Sequence, residues 1–189
     1  IDGEAGGDQS GWSVSLSSDG TIVAIGAPGN SNSAGHTRIY KWNGSAWVQR
    51  GSDIDGEAAG DSSGTSIALS SDGNIVAIGA PVNDFNGDGD GNLWGHTRIY
   101  AWDGTDWVQR GNDIDGESAG ELSGTSVALS SDGSIVAIGA SHNSDRANQA
   151  GHTRIFAWDS DNNSWVKRGS DIDSGLNVVY YFGHSVTLS

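Results

Sequence analysis

Three observations predict an all-β fold of propeller type, built from tandem four-stranded antiparallel blades. One unit recurs along the chain, glycine and small polar turn residues are abundant, and each recurrence holds one strand that is apolar at every position. The recurrence is plain in the residues. Ile1-Asp2-Gly3-Glu4-Ala5 returns as Ile54-Asp55-Gly56-Glu57-Ala58 and as Ile114-Asp115-Gly116-Glu117-Ser118, with a further start at Ile172-Asp173. The spacings are 53, 60 and 58 residues, which sets blade repeats at 1–53, 54–113 and 114–171 and the start of a fourth at 172–189. Length varies in two places only: between Ala27 and His36 with its counterparts, and between Trp158 and Trp165. Variation confined to loops marks the rest as framework.

The middle copy shows the strands in order. Residues 65–70 alternate, with Ile67 and Leu69 on one face. Ser71-Asp72-Gly73 follows, and Asp-Gly predicts a type I′ hairpin with positive φ at both central residues. Residues 75–79 are apolar throughout, so this strand must be covered on both faces. A third strand over 97–102 turns through Asp103-Gly104 into a fourth over 107–110. No window carries a helical apolar period long enough to compete. The 30 glycines suit a chain with this many turns.

A formal charge of −15, from 24 acids against 9 bases, argues against nucleic acid and against anionic membranes, which call for clustered Lys and Arg. It suits solubility and divalent cations. No run approaches the ~20 apolar residues of a membrane span. With no cysteine, neither disulfides nor thiol chemistry contribute. The chain opens at Ile1, inside the repeat, and reads as part of something longer.

Two recurring elements carry a family resemblance. One is Gly26-Ala27-Pro28, Gly79-Ala80-Pro81 and Gly139-Ala140-Ser141; the other is Phe182-Gly183, with Ser10-Gly11, Ser63-Gly64 and Ser123-Gly124 at the equivalent places. Together they resemble the FG-GAP repeats of integrin-type propellers and of many large secreted proteins, across essentially the whole chain. The resemblance implies a propeller in an extracellular adhesion or recognition protein. The family's calcium loop, an Asp-rich D-x-D-x-D-G run between the first two strands, is replaced here by Ser-Ser-Asp-Gly, too short to wrap a cation. That calcium site does not carry over.

Three copies and an opening strand do not close a ring, since propellers use at least ~4 blades. The expected partners are therefore copies of the chain itself or further blades of the same chain, and an unpaired first strand over 183–189 suits strand exchange.

Several residues are candidates for chemistry. Asp84, Asn86, Asp88 and Asp90 alternate with glycines in the longest loop, as Ca²⁺ ligands do, although a solvated Asn/Asp/Gly turn has the same composition. Trp94, in the same loop, would suit a lectin-like pocket for a glycan. The acids of the D-x-D-G-E stretches would either cradle a cation at each blade junction or make turns and pair with Arg50, Arg110 and Arg168. We favour the structural reading, because a recurring segment must first make the same turn each time. His36, His96 and His152 recur in Gly-His-Thr-Arg, one per blade, too far apart to share one metal, and are expected to be hydrogen-bonded structural residues. The pairs Trp42/Trp47, Trp102/Trp107 and Trp158/Trp165 are expected to be cross-strand contacts, with an exposed sugar-stacking platform as the rival. Asn43 and Asn162 head N-glycosylation sequons.

No nucleophile elbow, cysteine nucleophile, phosphate loop or HExxH helix is present. The sequence therefore predicts a non-catalytic extracellular structural or adhesive repeat protein, with Ca²⁺-assisted carbohydrate binding as the alternative.

Overall fold

The computed structural model describes residues 1–84, 93–144, 150–173, 175 and 181–188. Three antiparallel sheets follow one another along the chain. The first comprises β1 (Ser13–Leu16), β2 (Ile22–Ala27), β3 (His36–Trp42), β4 (Trp47–Gln49) and β5 (Ile54–Asp55). The second comprises β6 (Ser66–Leu69), β7 (Ile75–Ala80), β8 (His96–Trp102), β9 (Trp107–Gln109) and β10 (Ile114–Asp115). The third comprises β11 (Ser123–Leu129), β12 (Ile135–Ala140), β13 (His152–Asp159), β14 (Ser164–Lys167) and β15 (Ile172–Asp173). Each is a propeller blade, as predicted. No helix among the described residues is long and apolar enough to cross a membrane.

The outer edge of each blade is made in two pieces. In the first blade β4 pairs with the far half of β3 (Tyr40↔Gln49, Trp42↔Trp47), and β5 pairs with its near half (His36↔Asp55, Thr37↔Ile54). The Ile-Asp that heads each sequence repeat thus completes the sheet of the blade before it, where the sequence suggested only a connection.

The hairpin between the first two strands also departs from expectation. Gly20, Gly73 and Gly133 adopt positive φ (69°, 67° and 65°), but the preceding aspartates do not. Gly73 N–H donates to the Ser70 carbonyl, and the Asp72 carboxylate accepts from the Ser70 hydroxyl and the Asn74 N–H. The Asp side chain holds a longer turn that ends in a left-handed glycine, so a two-residue type I′ turn is not needed.

The doubly covered second strand is borne out: Val76, Ala77, Ile78 and Ala80 are all buried. One face of each blade packs on the opposite face of the next. Ile22, Ala24, Ile39 and Ile54 of the first blade meet Leu69, Val76, Ile78 and Tyr100 of the second in one cluster. Ala77, Ile99 and Ile114 meet Val127, Leu129, Val136, Ile138 and Phe156 in the next.

Between these clusters the backbones touch. A Cβ on Gly26 would lie 2.1 Å from the Gly64 carbonyl oxygen, and one on Gly79 would lie 2.1 Å from that of Gly124. The same carbonyls accept hydrogen bonds of 2.7 Å from Ser13 and Ser66. The glycine of each "GAP" element therefore receives the glycine of the following "FG" position, and only glycine permits that approach.

At the outer rim an arginine joins successive blades. The Arg50 guanidinium lies 4.4 Å from the Trp102 ring centroid and 5.4 Å from that of Trp107, whose indole N–H donates to the Arg50 carbonyl at 2.8 Å. Arg110 repeats the arrangement over Trp158 and Trp165, at 4.5 and 5.6 Å. A stacked Arg of this kind contributes ~0.5–2 kcal/mol. The two arginines expected to pair with the acids of the repeat are thus committed to tryptophans, with their Nη1 groups on the Gly73 and Gly133 carbonyls.

Gly79→Ala is expected to destabilise the fold by about 1–3 kcal/mol, seen as a lowered denaturation midpoint. Gly6→Ala, which meets nothing within 4 Å, should change it by less than ~0.5 kcal/mol. Equal effects would contradict the backbone contact.

Candidate functional site: the blade junctions

At the start of the third strand of each blade the same four side chains assemble, three times in all, and the second and third sets lie where one blade gives way to the next. The third strand opens with His-Thr-Arg, all three buried: His36, Thr37 and Arg38; His96, Thr97 and Arg98; His152, Thr153 and Arg154. The Arg Nη2 donates to the carbonyl of the aspartate in the preceding Ile-Asp: Arg38 to Asp2 (2.8 Å), Arg98 to Asp55 (2.6 Å) and Arg154 to Asp115 (2.8 Å). That bond draws the Gly-Glu after each Ile-Asp across the strand start. Glu4, Glu57 and Glu117 then lie 3.6, 3.8 and 3.5 Å from the Nη1 of Arg38, Arg98 and Arg154.

The imidazole Nδ1 faces two carboxylates. In the first junction His36 Nδ1 is 3.9 Å from Glu4 and 3.8 Å from Asp53; in the second His96 Nδ1 is 3.7 Å from both Glu57 and Asp113. In the third His152 Nδ1 is 4.0 Å from Asp171, beside a cavity of about 230 Å³ lined also by Asn143, Ala150, Gly151, Ser170 and Asp173. Asp53, Asp113 and Asp171 sit where the outer edge breaks between its two pieces, which brings each back over the start of the third strand. Burial, reinforced by Arg98, pushes His96 down to about 4 against the opposing pull of Asp113 and Asp61. Burial and the Asp113 charge raise Glu57.

A different set of acids shapes the turns. Asp8 and Asp61 are buried and accept the Ala5 and Ala58 N–H groups at 2.9 Å, while the fully buried Glu121 accepts from Glu117 N–H and Asn143 Nδ2 at 2.8 Å. The turn-making expected of the acidic stretches belongs to these residues. The three histidines do lie in separate blades, but each gathers its own carboxylates. The sequence reading compared histidine with histidine and missed this; the constant Glu-to-His and His-to-Asp order within each repeat was the available signal.

The other candidates fall elsewhere. Asn86, Asp88 and Asp90 lie outside the described residues, and Asp84 makes an isolated bridge to Leu93. Trp94 is half-buried at the junction of the second and third blades, where its carbonyl accepts the Ser123 N–H at 2.9 Å. Asn43 and Asn162 are exposed on the turns between third and fourth strands. The tryptophan pairs are cross-strand contacts, with ring centroids 5.3–5.6 Å apart.

No protein-family model matches the chain, and no curated protein matches it. Solved structures do. A candidate 6-phosphogluconolactonase from Bacteroides uniformis aligns with a TM-score of 0.55 at 15% identity, over 87% of this chain and 41% of that one. Sqt1 from Saccharomyces cerevisiae gives 0.52 at 10% identity, over 86% and 35%, and TolB from Acinetobacter baumannii gives 0.50 at 12%, over 86% and 32%. The chain spans about two fifths or less of each of these structures. At such identities the likeness establishes the propeller fold alone.

The His96 resonances are expected to titrate near pH 4, far below the ordinary value of 6.5. The sign follows from linkage. Between about 6.5 and 4 the unfolded chain takes up a proton that folded His96 refuses, so this residue's contribution to stability is intact above 6.5 and falls as pH drops toward 4. NMR titration checks this, and a midpoint at or above 6.5 would contradict it.

Proposed function

We propose that the chain is a non-catalytic structural unit of an extracellular assembly, in which copies join head to tail through the face that joins blade to blade within the chain. The observation that carries this reading is the complementarity of the two ends. At the leading end Val14 and Leu16 are 56% and 55% exposed, whereas their counterparts Leu69, Val127 and Leu129 are covered by the blade before them. Trp42 and Trp47 form the leading tryptophan pair, with Trp42 39% exposed and no preceding arginine to stack on it among the described residues. At the trailing end Arg168, the counterpart of Arg50 and Arg110, is exposed, and Ile172 is 49% exposed where Ile54 and Ile114 are 5%. The first and last described blades each present half of a contact that the interior makes twice, for a further blade to complete.

The terminal segment supplies the joint. Phe182 bridges Gly151 as Ser63 bridges Gly35, and the Ser126 hydroxyl donates to the Gly183 carbonyl at 2.7 Å. Gly183 thus docks on Gly139 as Gly64 docks on Gly26. Ser185, Val186 and Leu188 repeat the residue types of Ser13, Val14 and Leu16 at the same spacing. These residues stand at the place of a first strand but form no strand among the described residues. A second copy offers β2, whose own first-strand partner β1 has only four residues. Exchange of one for the other puts Val186 and Leu188 in place of the exposed Val14 and Leu16, builds a mixed blade and extends the array, and contacts of this heterologous kind grow into filaments. The extracellular setting rests on the resemblance to FG-GAP repeats.

Carbohydrate binding is a second reading, favoured by the surface groove around Trp42, Lys41, Val48, Arg50 and Trp102. Glycan-array binding with calcium present supports it, and silence there removes it.

Sedimentation velocity over a concentration series, with electron microscopy of the same samples, tests the assembly. Mass should grow with concentration into end-to-end chains. Arg168→Ala, and Trp42→Ala, which gives up the Trp47 pair but no contact between described blades, should each shift growth to at least ~5-fold higher concentration, for a contact of ~1 kcal/mol or more. A chain that stays monomeric throughout, or variants that assemble as well as the parent, would overturn the proposal.

A further inference from the structure

The three junction clusters have a geometry that internal contacts do not explain. In each, one imidazole nitrogen and two carboxylate oxygens lie within 4.8 Å of one another: Glu4, His36 and Asp53; Glu57, His96 and Asp113; Glu117, His152 and Asp171. The Nδ1-to-oxygen separations of 3.7–4.0 Å are too long for hydrogen bonds. They are close to the spacing of ligands that share an ion, since donors ~2.0–2.2 Å from Zn²⁺ in tetrahedral to trigonal arrangement lie ~3.3–3.8 Å apart.

The outer oxygens of these carboxylates are already held, and this aims the inner ones. Gln49 Nε2 donates to Asp53 Oδ1, Gln109 Nε2 to Asp113 Oδ1, and Lys167 Nζ lies 2.6 Å from Asp171 Oδ1. Glu4 and Glu57 turn Oε1 toward Arg38 and Arg98, leaving Oε2 toward the histidine. Outer partners of this kind orient the ligands of metal sites. The histidines supply the second, independent observation. His36, His96 and His152 are 2%, 1% and 3% exposed. Their Nδ1 atoms point at the carboxylates from beyond hydrogen-bond reach. A nearly fully buried imidazole whose Nδ1 faces carboxylates without a hydrogen bond is an unpartnered group aimed into the cluster.

We propose that each of these three clusters is a divalent transition-metal site, with histidine Nδ1 and one oxygen from each of the Glu and Asp as protein ligands. One imidazole with two carboxylates suits Zn²⁺ or a similar first-row ion, whereas Ca²⁺ takes six to eight oxygens. The chain's charge of −15 favours cation uptake generally; the nearby arginine leaves the first two sites about one negative charge each, and Lys167 offsets a further charge at the third. A bound ion ties the acidic segment that leaves one blade to the third strand and outer edge of the next, so the site is structural. It does not depend on head-to-tail assembly.

The test uses the full chain, stripped with chelator, desalted and titrated with Zn²⁺. Isothermal titration and metal analysis after gel filtration should give about three ions per chain, matching the three clusters, and thermal unfolding should move upward with free Zn²⁺. His96→Gln risks the fold, so the deciding variants are Glu57→Gln and Asp113→Asn, at partly exposed carboxylates. Each should lose one ion in three with an unchanged circular dichroism spectrum. Co²⁺ should give the intense visible bands of four-coordinate geometry. Unchanged stoichiometry in both variants, binding of less than one ion per chain, or full competition by equimolar Ca²⁺ would overturn the proposal.

Discussion

The structure depends on one close approach of backbone to backbone. The second-strand glycine of each blade admits the first-strand carbonyl of the next, so the two sheets meet at a distance that any side chain would forbid. With that distance set, Val76 and Ile78 reach Ile22, Ala24 and Ile39, and Arg50 reaches the tryptophans of the following blade. Burial supplies most of the stabilisation, but the glycine contact fixes which residues are buried and in what register.

Much of this was legible in the sequence. The strands of the middle copy lie within a residue or so of their expected bounds, because alternation in the first strand and continuous apolarity in the second have few other solutions. The recurring Gly-Ala-Pro element was visible in the sequence, and its Gly79 marks the close approach of backbones. The assignment of Ile54-Asp55 to the preceding sheet was not legible, since two residues carry no periodicity. The turn type was misjudged because Asp-Gly serves two hairpin geometries, and the Asp72 side chain selects the longer one. Arg50 and Trp102 are 52 residues apart in sequence, and only the stacking of blades brings them together.

The junction clusters show why repeats mislead site-finding by residue type. Equivalent residues in a blade array are kept apart by its symmetry, so the three histidines never converge. Partners come instead from unlike positions of the same repeat: a glutamate before the first strand, a histidine opening the third, an aspartate in the break of the outer edge. The outer edge breaks because β4 and β5 share β3, so a feature of sheet topology places a carboxylate over a buried imidazole.

The central claim is that the contact between blades is also the contact between molecules. Cryo-electron microscopy of the associated chain, at a resolution that separates strands, tests it most directly. The account predicts a continuous row of blades in which the step across a molecular boundary equals the step within a chain, with density for residues 183–188 lying against β2 of the neighbour. Copies joined through any other surface, or a boundary step unlike the internal one, would contradict it.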